Sequence, residues 1–268
     1  MRLGHIIYSN CFPVHARLID RPLPTDPELV EGIPSSLNLL LSRGEIDVSP
    51  CSSIEFARHA DRYTILPDLV IGSSGPVRSI MFLCDRSPDE LQGCTVAVPS
   101  ASATSVVLLK ILLQLRWKAS ARFVWFDQRV DDPFAAGASA ALFIGDVALQ
   151  PDLYTALPVR LDLGTEWTDH SELPFAFAVW QAVGGSTPAL RELHSTLIAS
   201  RSYGLKHRQA LAERHQHRFG MPPHTLAEYW DGLRYDLNPA MMKGLELFYR
   251  QAVEIGELEA APDFRWSF

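Results

Sequence analysis

Short apolar segments alternate with helix-patterned stretches from Leu3 to about Trp180, and this alternation restricts the fold more than any other feature of the chain. Strand–helix–strand repeats give a mainly parallel sheet with helices packed on its faces. The strands read as Leu3–Tyr8, Ile46–Val48, Val77–Cys84, Thr95–Val98, Phe123–Phe126, Ala141–Ile144 and a long apolar return strand, Pro174–Val183. Between them lie a helix from about Val14 and another over Pro34–Arg43, opened by proline and stopped by Gly44. Further helices span Ser52–His59 and the strongly apolar Ser102–Leu115. After the return strand only helical patterns follow: Thr187–Ser200, Gly204–Phe219, His224–Gly232 and Pro239–Gly256.

This order implies a discontinuous α/β architecture. Residues 88–173 form an inserted lobe, and residues 1–87 with 174–268 form the other. The chain crosses between them near Cys84–Leu91 and Ser171–Pro174, which act as the hinge. A design of this kind binds a ligand in the cleft between lobes, where closure excludes water.

Composition narrows the ligand. The 268 residues carry a net charge of −7, the wrong sign for a nucleic-acid partner. No apolar run approaches the ~20 residues that span a bilayer. The N-terminal segment is interrupted by His5, Asn10 and Arg17, unlike a secretory leader. A cytoplasmic protein with no membrane partner is expected. The four cysteines show no C-x-x-C pair, as expected of free thiols in a reducing compartment. No metal-ligand spacing, P-loop, G-x-G-x-x-G or G-x-S-x-G is present, so neither a metal nor a cofactor is expected. His215 and His217 fall in a charged helical stretch and read as a solvated face.

Five strand-to-helix junctions are rich in small hydroxyl residues or glycine: Ser9–Asn10, Ser49–Ser53, Ser73–Ser79, Ser100–Ser105 and Gly145–Asp146. A helix start offers unpaired N–H groups and a positive dipole end, to which serine and threonine add hydroxyl donors. Such a turn can hold a carboxylate or phosphate without arginine. Each also has a structural reading, because serine and threonine cap helices. Recurrence at turns of one type, where open α/β sheets bind ligands, favours binding. Ser9, Ser52, Ser53, Ser102, Thr104, Ser105, Gly145 and Asp146 are the candidate binding residues, with anchoring of the second lobe the alternative task for Asp146. Cys11 and Cys51 flank the same cleft, but no histidine pairs convincingly with either, so a thiol nucleophile is not expected. Phe175, Phe177 and Trp180 read as core.

Taken together, these segments resemble the chorismate dehydratases of the futalosine route to menaquinone. The resemblance runs through Gly4–Pro13, Gly32–Pro50, Ser52–Ala57, Leu66–Phe82, Ala97–Leu113, Ala141–Leu149, Asp162–Trp167 and Leu173–Trp180. It covers most of residues 1–180, departing at His170–Glu172, where that family has Thr-Gly. It implies a two-lobed type II periplasmic-binding-protein-like fold and a catalytic pair at Asn10 and Ser79. It further implies loss of water from chorismate, a dicarboxylate, to give 3-[(1-carboxyvinyl)oxy]benzoate. Asn10, Ser79, Ser52, Thr104 and Gly145 would face one cleft. Two other readings remain. One is a non-catalytic small-anion binding protein of the same fold. The other is the sister enzyme 1,4-dihydroxy-6-naphthoate synthase, whose general-base histidine is replaced here by Ile144-Gly145-Asp146.

Overall fold

The computed structural model describes residues 1–150, 152, 157–185 and 187–268. These divide into two compact units. The first comprises Met1–Gly72, Ala176–Pro239 and Pro262–Phe268; the second comprises Ser73–Phe175 and Ala240–Ala261.

The first unit is built on a sheet ordered β2-β1-β3-β10-β4. Its strands are β1 (Arg2–Ile6), β2 (Glu28–Gly32), β3 (Val48–Ser52), β4 (Tyr63–Ser73) and β10 (Phe175–Val183). β1 runs parallel to β2 and β3, with Leu3 level with Val48. β10 runs antiparallel to β3, so the first sheet is mixed where a mainly parallel one was expected. The chain reaches β10 from β4 by way of the whole second unit and not by a single β-α-β crossover, so nothing imposes a parallel direction on it. Every β10 residue except Val183 is buried, as the unbroken apolar run requires. Helix α1 (Phe12–Asp20) packs along α7 (Pro188–Lys206), where Ser200 Oγ accepts from the Arg17 amide at 3.0 Å. Helices α2 (Pro34–Ser42), α3 (Ser53–Arg58), α8 (Arg208–Phe219) and α9 (Pro223–Gly232) complete this unit.

The second unit carries a sheet ordered β7-β6-β8-β5-β9. Its strands are β5 (Ile80–Cys84), β6 (Thr95–Pro99), β7 (Arg122–Phe126), β8 (Ala140–Ile144) and β9 (Val159–Asp162). β6 is parallel to β7 and β8, whereas β5 is antiparallel to both β8 and β9. Helix α4 (Thr104–Ile111) continues into a π-helical turn over Leu112–Arg116; α5 (Gly145–Ala148), α6 (Leu163–Ser171) and α10 (Pro239–Glu254) follow.

Residues 73–87 and 240–261, expected in the first lobe, lie in the second unit instead, as do 174 and 175. Residues 73–87 belong there because β5 is hydrogen-bonded between β8 and β9. Residues 240–261 belong there because Phe248 of α10 packs edge-on against Phe175, with ring centroids 5.0 Å apart, in a cluster that includes Trp167. Strands β2, β4 and β9 and helix α6 were not read from the sequence. The strand expected at Val77 begins only at Ile80, and the one expected at Ile46 begins at Val48. Among the described residues, no helix is long and apolar enough to cross a membrane.

Candidate functional site

The candidate residues divide into two sets, one at a sheet end of each unit. In the first unit, β1 and β3 are parallel neighbours, so Ser9–Asn10 and Ser52–Ser53 lie together at the strand carboxyl ends. Ser9–Cys11 form a single 3-10 turn leading into α1, whose first turn contains Pro13. The Trp230 indole N–H donates to the Ser9 carbonyl at 2.8 Å. The same indole stacks on Phe12 at 5.3 Å. The turn is therefore held from both sides, which fixes the backbone at Asn10.

The Asn10 amide oxygen is buried, and no donor among the described residues reaches it. Leaving such a group unpaired costs about 1–3 kcal/mol. With no partner fixing that end of the amide, either its oxygen or its NH2 can be turned toward a ligand.

Neighbouring serines have other tasks. Ser52, expected to bind substrate, stands at the N-cap of α3, yet its side chain makes no capping bond; its carbonyl accepts from Gln181 Nε2 at 3.1 Å. Ser53 is fully buried and its hydroxyl donates to the Ala176 carbonyl at 2.8 Å. That bond ties α3 to β10 and fits a structural duty better than the binding duty expected of it.

The same unit holds a buried polar cluster that no sequence motif announces. His15 Nδ1 stands 2.9 Å from His5 Nδ1, and the Trp180 indole donates to His15 Nε2 at 3.2 Å. Because an indole N–H can only donate, His15 Nε2 must be an acceptor and its proton must sit on Nδ1, directed at His5. Both rings are buried and neutral. Burial, aided by the Arg218 charge, lowers the His5 pKa to about 4. The His15 pKa is also well below its usual value, through burial and then His5. Cys11 Sγ lies 3.9 Å from His15 Nδ1, a Cys–His proximity to which the i, i+4 spacing of Cys11, at the N-cap of α1, and His15 points. It makes no nucleophile, since burial pushes the thiol up to about 12. His5, Cys11 and His15 lie close enough together to hold a metal, but the donor set does not fit one. With Nε2 accepting from Trp180, the His15 Nδ1 carries a proton and has no lone pair for an ion.

His215 also departs from expectation. Its ring packs on Phe12 at 4.7 Å rather than lying on a solvated face, while His217 is exposed.

In the second unit, Ser79 immediately precedes β5, beside the carboxyl end of the antiparallel β8. The Gly145 N–H donates to the Ser79 carbonyl at 2.8 Å. Gly145 takes a φ of 64°, a left-handed conformation that suits glycine. Gln128 grips the Ile144 main chain twice: its oxygen accepts from the Ile144 amide and its NH2 donates to the carbonyl, each at 2.9 Å. β6 is parallel to β8, so the loop carrying Ser102, Thr104 and Ser105 leaves the sheet at this same end. Thr104 and Ser105 are buried in the first turn of α4, and Ser102 Oγ accepts from the Ser105 amide at 3.4 Å. Asp146 stands in the first turn of α5. Within each unit, then, the sequence-expected residues gather at one sheet end.

Two mixed five-stranded sheets flanked by helices, each with polar loops at one sheet end, define the periplasmic-binding-protein-like fold. The aliphatic sulphonate binding protein SsuA of Escherichia coli superposes with a TM-score of 0.67 over 100% of this chain and 91% of its own, at 15% identity. Protein AF1704 of Archaeoglobus fulgidus gives a TM-score of 0.79 over 96% of this chain and 98% of its own, at 16% identity. The chain belongs to the menaquinone biosynthesis family, whose model matches residues 1–254, and it is an enzyme. Chorismate dehydratase of Thermus thermophilus is 31% identical over 261 residues, covering 92% of this chain and 93% of the relative.

Proposed function

We infer that this protein is a chorismate dehydratase, a hydro-lyase that converts chorismate to 3-[(1-carboxyvinyl)oxy]benzoate and water. The observation that carries the residue assignment is the buried Asn10 amide oxygen, left without a partner at the end of β1. Support for the activity comes from the similarity to the Thermus enzyme along nearly the whole chain.

Chorismate is a dianion, and the hydroxyl-bearing turns that hold Ser9, Ser52, Ser102, Thr104, Ser105 and Gly145 are the expected donors for its carboxylates. Its C3–H is conjugated through the ring alkene to the C1 carboxylate. Removing that proton sends the electron pair into an extended enolate, which donors aimed at the carboxylate stabilise. The base is the substrate's own enolpyruvyl carboxylate, held in reach of C3 by the Asn10 NH2. Collapse of the enolate breaks the C4–O bond and makes the ring aromatic, and the departing hydroxyl leaves as water by taking back the proton that the enolpyruvyl carboxylate removed from C3. Ser79 hydrogen-bonds the departing oxygen. Asp146 anchors its own turn, and it is the alternative base should the substrate carboxylate not serve.

The fold shared with SsuA favours one other reading, a binding protein that does not turn its ligand over. Calorimetric binding of chorismate, run beside a continuous absorbance assay, separates the two. Binding with consumption of the diene, and loss of consumption but not binding in Asn10→Ala, supports the enzyme. Saturable binding with no consumption leaves the carrier.

A further inference from the structure

The peptide groups immediately before Ser79 are held by a carboxylate to which the reaction above gives no task. Asp162 ends β9 and caps α6. Its Oδ1 accepts from the Gly164 and Thr165 amides at 2.9 and 3.1 Å, the ordinary duty of an N-cap. The same Oδ1 also accepts from the Val77 amide at 3.0 Å, and Oδ2 accepts from the Arg78 amide at 2.5 Å. Capping does not require these last two bonds.

They fall on an unusual piece of backbone. Arg78 has a φ of 63°, a left-handed conformation disfavoured for a residue with a side chain. The Ser79 amide donates to the Val77 carbonyl at 2.8 Å, closing a three-residue turn around it. Other contacts seat the same loop on α6. The Gly75 amide donates to Thr168 Oγ1 at 3.0 Å. A Cβ at Gly164 would stand only 2.6 Å from both the Gly75 carbonyl oxygen and Ser73 Oγ. The first turn of α6 is thus a close-fitting seat for residues 73–79, with the Asp162 carboxylate at its centre.

We propose that Asp162 is a positioning residue for catalysis: by holding the Val77 and Arg78 amides it sets the strained turn that aims Ser79 at the substrate. This rests on the reading that Ser79 acts on the leaving hydroxyl. The carboxylate reaches the reaction only through that turn.

Asp162→Asn separates the two duties. Asparagine is a good N-cap, and its oxygen in the Oδ1 position keeps the bonds to Gly164, Thr165 and Val77. Its NH2 then faces the Arg78 amide, donor against donor, so the cap survives and the turn is released. With chorismate as substrate, kcat should fall ~10²-fold with KM little changed, as displacement of a reacting group by about an ångström does. Amide exchange at residues 77–79 should quicken while exchange in the β6 and β8 core stays slow. The double variant Asp162→Asn/Ser79→Ala should be no slower than Ser79→Ala alone, because both remove one contribution. A wild-type kcat in Asp162→Asn, unchanged exchange at 77–79, or multiplicative losses in the double variant would each overturn the proposal. A wild-type kcat in Ser79→Ala would instead refute the role of Ser79 itself, and the proposal would fall with it. The exchange data would still report whether the clamp exists.

Discussion

The buried histidine pair makes a quantitative statement about acid stability. His5 titrates near 6.5 when unfolded and at about 4 in the folded protein. Between those values the unfolded chain binds the proton and the native state does not. Unfolding free energy therefore falls as pH drops through this window, while above 6.5 the full stability is present. From pH 7.5 to pH 4.5 this single group removes on the order of 2–3 kcal/mol, a large share of a typical stability of about 5–15 kcal/mol. His15, shifted in the same direction, steepens the loss. Charges facing the pair are Arg218, which opposes protonation of His5, and Glu31, which favours it. The assay is urea unfolding followed by circular dichroism across that range, in wild type and in His5→Asn. Asparagine keeps an acceptor near the Nδ1 position but does not titrate. Subtracting the variant's profile from the wild type cancels the common contribution of carboxylates. The wild type should lose more stability than His5→Asn by that amount, at constant m-value. Parallel profiles would show that the histidine is not buried and neutral, and the reasoning would fail.

If Asn10 holds the reacting carboxylate as proposed, Asn10→Ala should lower kcat by ~10²–10³ with a modest change in binding. Thr104→Ala should mainly raise KM; steady-state kinetics on both variants checks the division, and an effect of Asn10→Ala on KM alone would move the base elsewhere, first to Asp146. Chelators should leave turnover unchanged, because the His5–Cys11–His15 cluster offers no lone pair at His15 Nδ1; loss in EDTA with rescue by a divalent ion would contradict this. In the native protein at neutral pH, Cys94 should be the thiol that reacts fastest with a disulfide reagent: Cys11, Cys51 and Cys84 are buried, with thiols pushed up to about 12. Mapped labelling at Cys11 before Cys94 would refute the burial argument.

Much of this is legible in the sequence alone. The helix at Pro34 begins where proline permits and ends beside Gly44; the apolar run Pro174–Val183 is a strand buried along almost its whole length. What escaped notice was long-range or polar. β2 (ELVEG) has too little apolar character to stand out, and in β4 the Pro67-Asp68 pair, with Asp68 at a φ of 58°, interrupts the pattern. The direction of β10 depends on where the chain returns from, which local pattern does not encode. Residues 240–261 look like one more helix of the first lobe until Phe248 meets Trp167 and Phe175. At the candidate site, hydroxyl-rich turns advertise themselves in sequence, but which hydroxyl is already spent does not: Ser53 looked like Ser52, and only the Ala176 carbonyl tells them apart. Asp162 was visible as part of a motif, whereas its hold on Val77 and Arg78, more than eighty residues away, was not.

The central claim is that this enzyme removes water from chorismate, and the most direct measurement is the mass and ultraviolet spectrum of the product formed from chorismate by the purified protein alone. The account predicts loss of the cyclohexadiene absorbance, growth of a substituted-benzoate band, and a single product lighter than chorismate by one water, with the enolpyruvyl ether intact. Unchanged chorismate after prolonged incubation with folded protein, or a product that has lost pyruvate instead of water, would contradict it.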